Sequence, residues 1–305
     1  MTEFTASLCQ FLNESHSPYH AQAALRRTLN AEGYVNLPEG SEWNLTPGGK
    51  YYVCRSGAAV IAFRIPAETP KGFLMAAAHT DRPSLKLKEN GEKVGAYTSL
   101  QVERYGGLLI APWLDRPLSL AGRVMVQTAH GAKSVLVDID RDLLLIPNVA
   151  IHMNRQVNDG YKWNPVMDVN PLLGGKNAAG KLTTLLEEAA GGKILGHDLT
   201  LYVRENARVW GMENEYISSQ ALDDLQCVWG CFRGFLNAAP GGDIPVFCAL
   251  NSEEIGSRTT DGADSTYVED VLTRIAEGLH RNVREMLSQS FLVSADNAHA
   301  IHPNH

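Results

Sequence analysis

The chain has 305 residues, 44% of them hydrophobic, enough for a well-filled core in one large domain or two ordinary ones. Its 27 basic and 34 acidic residues give a formal net charge of −7 with no block of Lys or Arg, which argues against nucleic acid as a partner. No apolar run has the length of a membrane span, and the opening MTEFTASLCQFL lacks the basic start and cleavage site of a secretory signal, so a cytoplasmic location is expected.

In chain order, the pattern predicts two helices within the first 32 residues. Phe4, Leu8, Phe11 and Leu12 share one face, and Ser17-Pro18 starts the second helix with proline in its first turn. Strands are expected over 51–55 and 58–64, around the turn signal Ser56-Gly57. The run 72–78, apolar and rich in small residues, reads as a buried strand that ends at His79. From 82 to 211 the texture changes to alternating strands, such as 118–127 and 134–139, with few strong helices. Within it, 174–196 is rich in Gly, Ala and Lys and reads as a short helix between loops. After 211, Leu225, Val228, Trp229, Phe232, Phe235 and Leu236 line one helix face. A buried strand over 245–250, a long amphipathic helix over 268–287 and a last strand over 291–293 follow. The expected fold is α/β: a mixed-sheet domain formed by 1–81 and 212–305, interrupted by an inserted β-rich domain over 82–211.

Three of these strands end in polar clusters: His79-Thr80-Asp81, Asn251-Ser252-Glu253-Glu254 and Ser294-Ala295-Asp296. A fourth cluster, Asp223-Asp224, opens a helix. In an open α/β sheet the carboxyl ends of the strands form the functional crevice, so the clusters are expected to meet there. One histidine with several carboxylates describes a divalent-metal site. Two metals need a carboxylate between them and a free carboxylate to take a proton from water, and Glu253-Glu254 can provide one ligand and one base. Taken singly, each cluster is ordinary: a strand-end His is commonly a hydrogen-bonded structural residue, an acidic pair a helix cap or solvated surface. Their shared position after apolar strands is what carries the inference.

The five cysteines, Cys9, Cys54, Cys227, Cys231 and Cys248, are read as reduced thiols. Cys227 and Cys231 lack the further ligands of a zinc site and are assigned to packing. The stretch 175–182 nearly spells a phosphate-binding loop, but Leu182 stands where Ser or Thr would reach magnesium. The sequence holds neither HExxH nor GxSxG, which argues against single-zinc proteases and serine hydrolases.

The segments AAAHTDRPSLKLK, YGGLLIAPWLDRPLSLAGRV, IPNVAIHMNR, ALDDL, LNSEEIGS and SADNAHAIHPN, in that order, resemble the signature blocks of the M18 (aspartyl) aminopeptidases, from Ser17-Pro18-Tyr19-His20 to the last residue. The resemblance implies an α/β/α zinc-peptidase domain with an inserted domain that joins subunits into a homo-oligomer. It implies two zinc ions per subunit, exchangeable for Mn2+ or Co2+, and peptide substrates with acidic N-terminal residues. On it, His79 and Asp296 bind one zinc, Glu254 binds the other, Asp223 bridges both, Asp81 orients His79, and Glu253 is the general base. His152, in the inserted domain, would reach a neighbouring subunit's site and help hold the developing oxyanion. His299 and His302 receive no ligand role.

Two departures are visible. Arg82 stands where a small residue is usual in the family, so its cation is expected near the pocket mouth. Family members also continue past this chain's last residue with a further metal-binding histidine and a basic residue that reads the acidic substrate. A weak second metal and low turnover are therefore expected of the chain as written. The alternatives are a catalytically silent subunit that binds metal or oligomerises, and an M20-like carboxypeptidase or amide hydrolase, against which the YGG and IPNVAIHMNR blocks speak.

Overall fold

A computed structural model describes residues 2 to 304. The chain forms two compact units, one from the segment ending at Arg82 together with the segment starting at Ala207, the other from Pro83–Asn206.

In the first unit, helix α1 (Glu3–Glu14) starts at Thr2, whose hydroxyl accepts the Thr5 N–H. Helix α2 (Pro18–Ala31) starts at Ser17, whose hydroxyl accepts the His20 N–H. Strand β1 (Val35–Asn36) pairs with β2 (Lys50–Arg55), which turns back into β3 (Ala59–Arg64). Ser56 and Gly57 both have positive φ (54° and 77°), the backbone of a hairpin turn that matches strand twist. Strand β4 (Phe73–His79) follows.

The Pro83–Asn206 unit holds β5 (Ser84–Val94), β6 (Tyr97–Tyr105), β7 (Leu118–Thr128), β8 (Gly131–Asp138), β9 (Leu172–Gly175), helix α3 (Lys181–Ala190) and β10 (Ile194–Val203). The strands form one sheet in the order β8-β7-β10-β5-β6-β9, every pair antiparallel. Alternate residues supply its core: Leu118, Leu120, Val124 and Val126 of β7 are buried with Leu199, Leu201 and Val203 of β10. Gly122 is required, because a Cβ there would stand 2.1 Å from the Asp198 carbonyl. At the N-terminus of α3 the Gly180 N–H is taken by the Glu92 carboxylate at 2.8 Å, so this near-phosphate loop is met by an anion of its own chain. The unit ends at Asn206. Ala207 to Gly211 group with the first unit, where Asn13 accepts the Ala207 N–H at 2.7 Å. A hairpin, β11 (Arg208–Trp210) with β12 (Tyr216–Ser218), follows.

The first unit, resumed at Ala207, continues with helix α4 (Leu222–Asn237), β13 (Ile244–Leu250), helices α5 (Tyr267–Gly278) and α6 (Val283–Ser288), and β14 (Phe291–Ser294). Its sheet runs β1-β2-β3-β13-β4-β14 and is mixed. β13 and β14 both pair in parallel with β4, which lies between them, with Leu250 opposite His79 and Ser294 opposite Ala77, while β3 runs antiparallel to β13. Phe247 and Ala249 pack with Leu25 and Leu29 of α2 and Val228 and Phe232 of α4. Val246 and Cys248, their alternate neighbours, pack with Val271 and Ile275 of α5 and Met286 of α6. The result is an α/β/α sandwich, the fold class expected.

The single long helix expected over 268–287 is instead α5 and α6, separated by Leu279 to Asn282 with His280 at φ 54°. Gly278 ends the first, and the Asn282 side chain caps the second by accepting the Arg284 and Glu285 N–H groups. Among the described residues no helix is long and apolar enough to cross a membrane.

Candidate metal centre

Parallel pairing of β4, β13 and β14 delivers three chain ends to one edge of the sheet, and the start of α4 reaches the same place. There His79 Nε2 lies 3.4 Å from Asp223 Oδ1, 3.8 Å from Glu253 Oε2 and 3.9 Å from Asp296 Oδ1. His79, Asp223, Asp224 and Asp296 each offer a donor atom within 4.8 Å of the others. Glu254 is not in that group of four; it sits beside it on the turn Glu253–Ile255. His79 and Asp224 are buried, whereas the Asp223, Glu253 and Asp296 side chains are about half exposed, so the cluster opens to solvent on its acidic side.

Asp81 organises two of these elements. Its carboxylate, fully buried, accepts the main-chain N–H of Glu253 at 3.1 Å on one oxygen and that of Glu254 at 3.2 Å on the other. The same residue faces His79 Nδ1, with its carbonyl oxygen at 3.1 Å and Oδ1 at 3.3 Å. Nδ1 is thereby occupied and Nε2 is left to face the cluster. The sequence reading assigned Asp81 to the histidine alone; its hold on both glutamate amides came from no local signal.

Charges crowd this edge. Burial pulls the His79 imidazolium down, but the hydrogen bond and charge of Asp81, with Asp224 and Glu253, outweigh it and hold the pKa at about 9. Burial, then Asp81, pushes Glu254 up to about 7, against the pull of His79. Burial pushes Asp224 up to about 6, opposed by the Cys227 thiol and the His79 N–H. Asp223 is raised by burial and by Asp296. Carboxylates that resist ionisation for these reasons are the groups a bound cation relieves.

The donors suit zinc. An imidazole nitrogen and carboxylate oxygens are its common ligands, and bonds of about 2.0–2.2 Å place neighbouring donors roughly 3.3–3.5 Å apart. The 3.4 Å between His79 Nε2 and Asp223 Oδ1 matches that, and Asp224 Oδ1 is buried without a hydrogen-bond partner.

Other residues fall elsewhere. Arg82, expected near the pocket mouth, is buried, and its guanidinium donates to the Ser15 and His16 carbonyls at 2.9 and 2.6 Å, between α1 and α2. The two carbonyls take the place of water for two of its five donors, as a buried guanidinium requires. His152 is exposed within the Pro83–Asn206 unit, and His299 and His302 are exposed. The cysteines are free thiols; burial pushes Cys227 and Cys248 up to about 12, which suppresses the reactive thiolate.

An α/β/α domain with a histidine and several carboxylates at the carboxyl ends of parallel strands has the layout of a divalent-metal hydrolase. The chain belongs to the M18 aminopeptidase family: the family model described as aminopeptidase I zinc metalloprotease (M18) matches residues 11–305. It is 38% identical to a probable M18 family aminopeptidase 2 of Clostridium acetobutylicum over 99% of this chain and 73% of that protein. Chaetomium thermophilum mApe1 superposes with a TM-score of 0.92 at 30% identity, over 99% of this chain and 76% of that one. Ape4, solved in a complex with Nbr1, superposes with a TM-score of 0.93 at 34% identity, and there the chain spans 65% of the other's length.

Proposed function

We propose that this chain is a zinc-dependent aminopeptidase of the two-metal type, which hydrolyses the first peptide bond of peptides with acidic N-terminal residues and accepts manganese or cobalt in exchange. The observation that carries the reading is the meeting of His79 Nε2 with Asp223, Asp296 and Glu253 at one sheet edge. His79 and Asp296 are assigned to one ion and Glu254 to the other. Asp223 is assigned to both, in keeping with its electrostatic contact to Asp296 on one side and Glu254 on the other. When bound, the ions supply Lewis-acid polarisation of the carbonyl and lower the pKa of water.

Glu253 is the general base. Its main chain is held by Asp81 while its side chain is half exposed to solvent. It takes the water proton as the oxygen–carbon bond forms, and gives it to the amine nitrogen as the carbon–nitrogen bond breaks. Asp81 keeps Nδ1 of His79 engaged, so that Nε2 stays available as a donor.

The Pro83–Asn206 unit is assigned to self-association, and His152 to a neighbouring subunit's site, where it steadies the developing oxyanion. Exposed Val149, Ile151 and Met153 around His152 support a covered surface there. A second reading, a metal-binding but silent subunit, has one observation in its favour: His79 is the single imidazole in the donor group, so the second ion relies on carboxylates.

The test is zinc titration of the chelator-treated chain together with hydrolysis of an aspartyl anilide. Tight zinc that disappears in His79→Ala, with low but measurable turnover in the parent, is expected. Tight zinc with no turnover on any aminoacyl substrate would favour the silent subunit. Absence of tight zinc would overturn both readings.

A further inference from the structure

Behind the metal-facing side chains lies a set of contacts with no part in the roles above. Asp224, directly after Asp223, is fully buried, and its Oδ2 accepts the main-chain N–H of His79 at 3.2 Å, which ties the start of α4 to the end of β4. Asn297, directly after Asp296, donates its side-chain amide to the Leu222 carbonyl, which ties the loop after β14 to the start of α4. The Cys227 thiol, one turn along α4, joins the two. Its sulfur lies 3.7 Å from Asn297 Oδ1 and it also meets the Asp224 carboxylate. A thiol has one proton to give, and when Asn297 receives it Asp224 Oδ1 has no donor.

Each of the two acidic residues is therefore followed in sequence by a tether. We propose that Asp224 and Asn297 are positioning residues that hold His79, Asp223 and Asp296 at ion-coordinating separations before any ion arrives. This rests on the reading of those three as metal ligands. The need for tethers is electrostatic. The Asp223 and Asp296 carboxylates lie 3.4 and 3.9 Å from the same His79 Nε2, and like charges gathered this closely repel, so without a frame they would spread. Ligands gathered in advance leave more of the binding free energy for the ion itself. Cys227 serves as the link between tethers and not as a ligand, consistent with its absence from the donor group and its contact with Asn297.

Zinc affinity by competition with a chromogenic chelator, measured on the full chain, tests this. Asp224→Ala and Asn297→Ala should each lose about 10- to 100-fold, whereas Asp224→Asn, which keeps an oxygen for the His79 N–H, should stay within about threefold of the parent. The double alanine variant should lose less than the product of the single losses, because both tethers act on one triangle of donors. Hydrogen exchange of a peptide containing His79, followed without metal, should accelerate in Asp224→Ala and not in Asp224→Asn. Parent-like zinc affinity in both alanine variants would overturn the proposal. So would an Asp224→Asn loss as large as that of Asp224→Ala, which would make Asp224 a charged ligand. If Asp224→Ala fails to fold, Asn297→Ala and the exchange behaviour of Asp224→Asn still decide. His79→Ala is the separate control: if it keeps tight zinc, the ligand reading itself has failed, whatever the tethers do.

Discussion

In the unit that carries the metal centre, β4, β13 and β14 run in one direction, and the residues following each come out at one edge. In the Pro83–Asn206 unit every strand pair is antiparallel, so successive strands deliver their carboxyl ends to opposite edges. Both sheets have six strands and a buried apolar core, yet among the described residues the group of four that could hold a metal ion comes wholly from the first unit. The direction of the strands, more than the number of acidic residues, decides whether short polar clusters scattered along the sequence become a site. The antiparallel sheet uses its alternation to bury one face instead.

The sharpest way to break this comparison is at the parallel edge. Glu253→Gln should lower kcat by about 10²- to 10⁴-fold while zinc affinity stays near the parent value, since the proposed role is proton transfer. An equal loss of zinc would make Glu253 a ligand. Next come the two cores. Phe247→Ala on β13, where the ring packs against Phe232 at a centroid separation of 5.1 Å, should cost about 3–5 kcal/mol in denaturant unfolding and weaken zinc binding with it. Leu201→Ala on β10, also fully buried, should cost about 2–5 kcal/mol and leave zinc affinity unchanged. If both variants lost zinc equally, the division of labour would be wrong.

A smaller effect is expected from Tyr202, whose phenol donates to Asp138 at 2.8 Å in the antiparallel unit. Burial and then Asp138 raise its pKa above the ordinary value of 10, so the folded chain keeps the proton that the unfolded chain releases. Its contribution is whole below pH 10 and is lost as the pH climbs beyond it. Tyr202→Phe should cost about 1 kcal/mol at neutral pH and flatten the alkaline fall in stability. The smallest effect belongs to Asp270, held below the usual carboxylate range by Thr266 and then Arg55. That contribution is present above the ordinary carboxylate pKa and fades as the pH falls through the lowered one. The carboxylate is nearly half exposed, so Asp270→Asn should cost only about a few tenths of a kcal/mol, read from the acid limb of the same unfolding curves.

The apolar run before His79, the hairpin at Ser56-Gly57 and the strand before Asn251 were legible because runs of like residues and turn residues act over a few positions. The break between α5 and α6 was legible in principle: Gly278 as a stop, then Asn282 as a cap with Glu285 three residues on. The apolar periodicity, which continues through 268–287, hid it. Burial of Arg82 was not legible, because the carbonyls that bind it belong to residues far away in sequence.

By itself, then, the sequence determined the chain's α/β character, the change of texture between its two units, and the polar clusters that close its apolar strands, each set by neighbouring residues. Its family was also legible, because an ordered set of blocks is specific where a single block is not. Only the tertiary structure decided that Asp81 would hold both glutamate amides as well as the histidine, that Asp224 would be buried against the His79 N–H, and that Arg82 would turn away from the solvent. The physical reason is the same in all three. A buried charge takes whatever donors or acceptors the packing of distant segments brings within hydrogen-bond reach, and no local pattern encodes which segments those are.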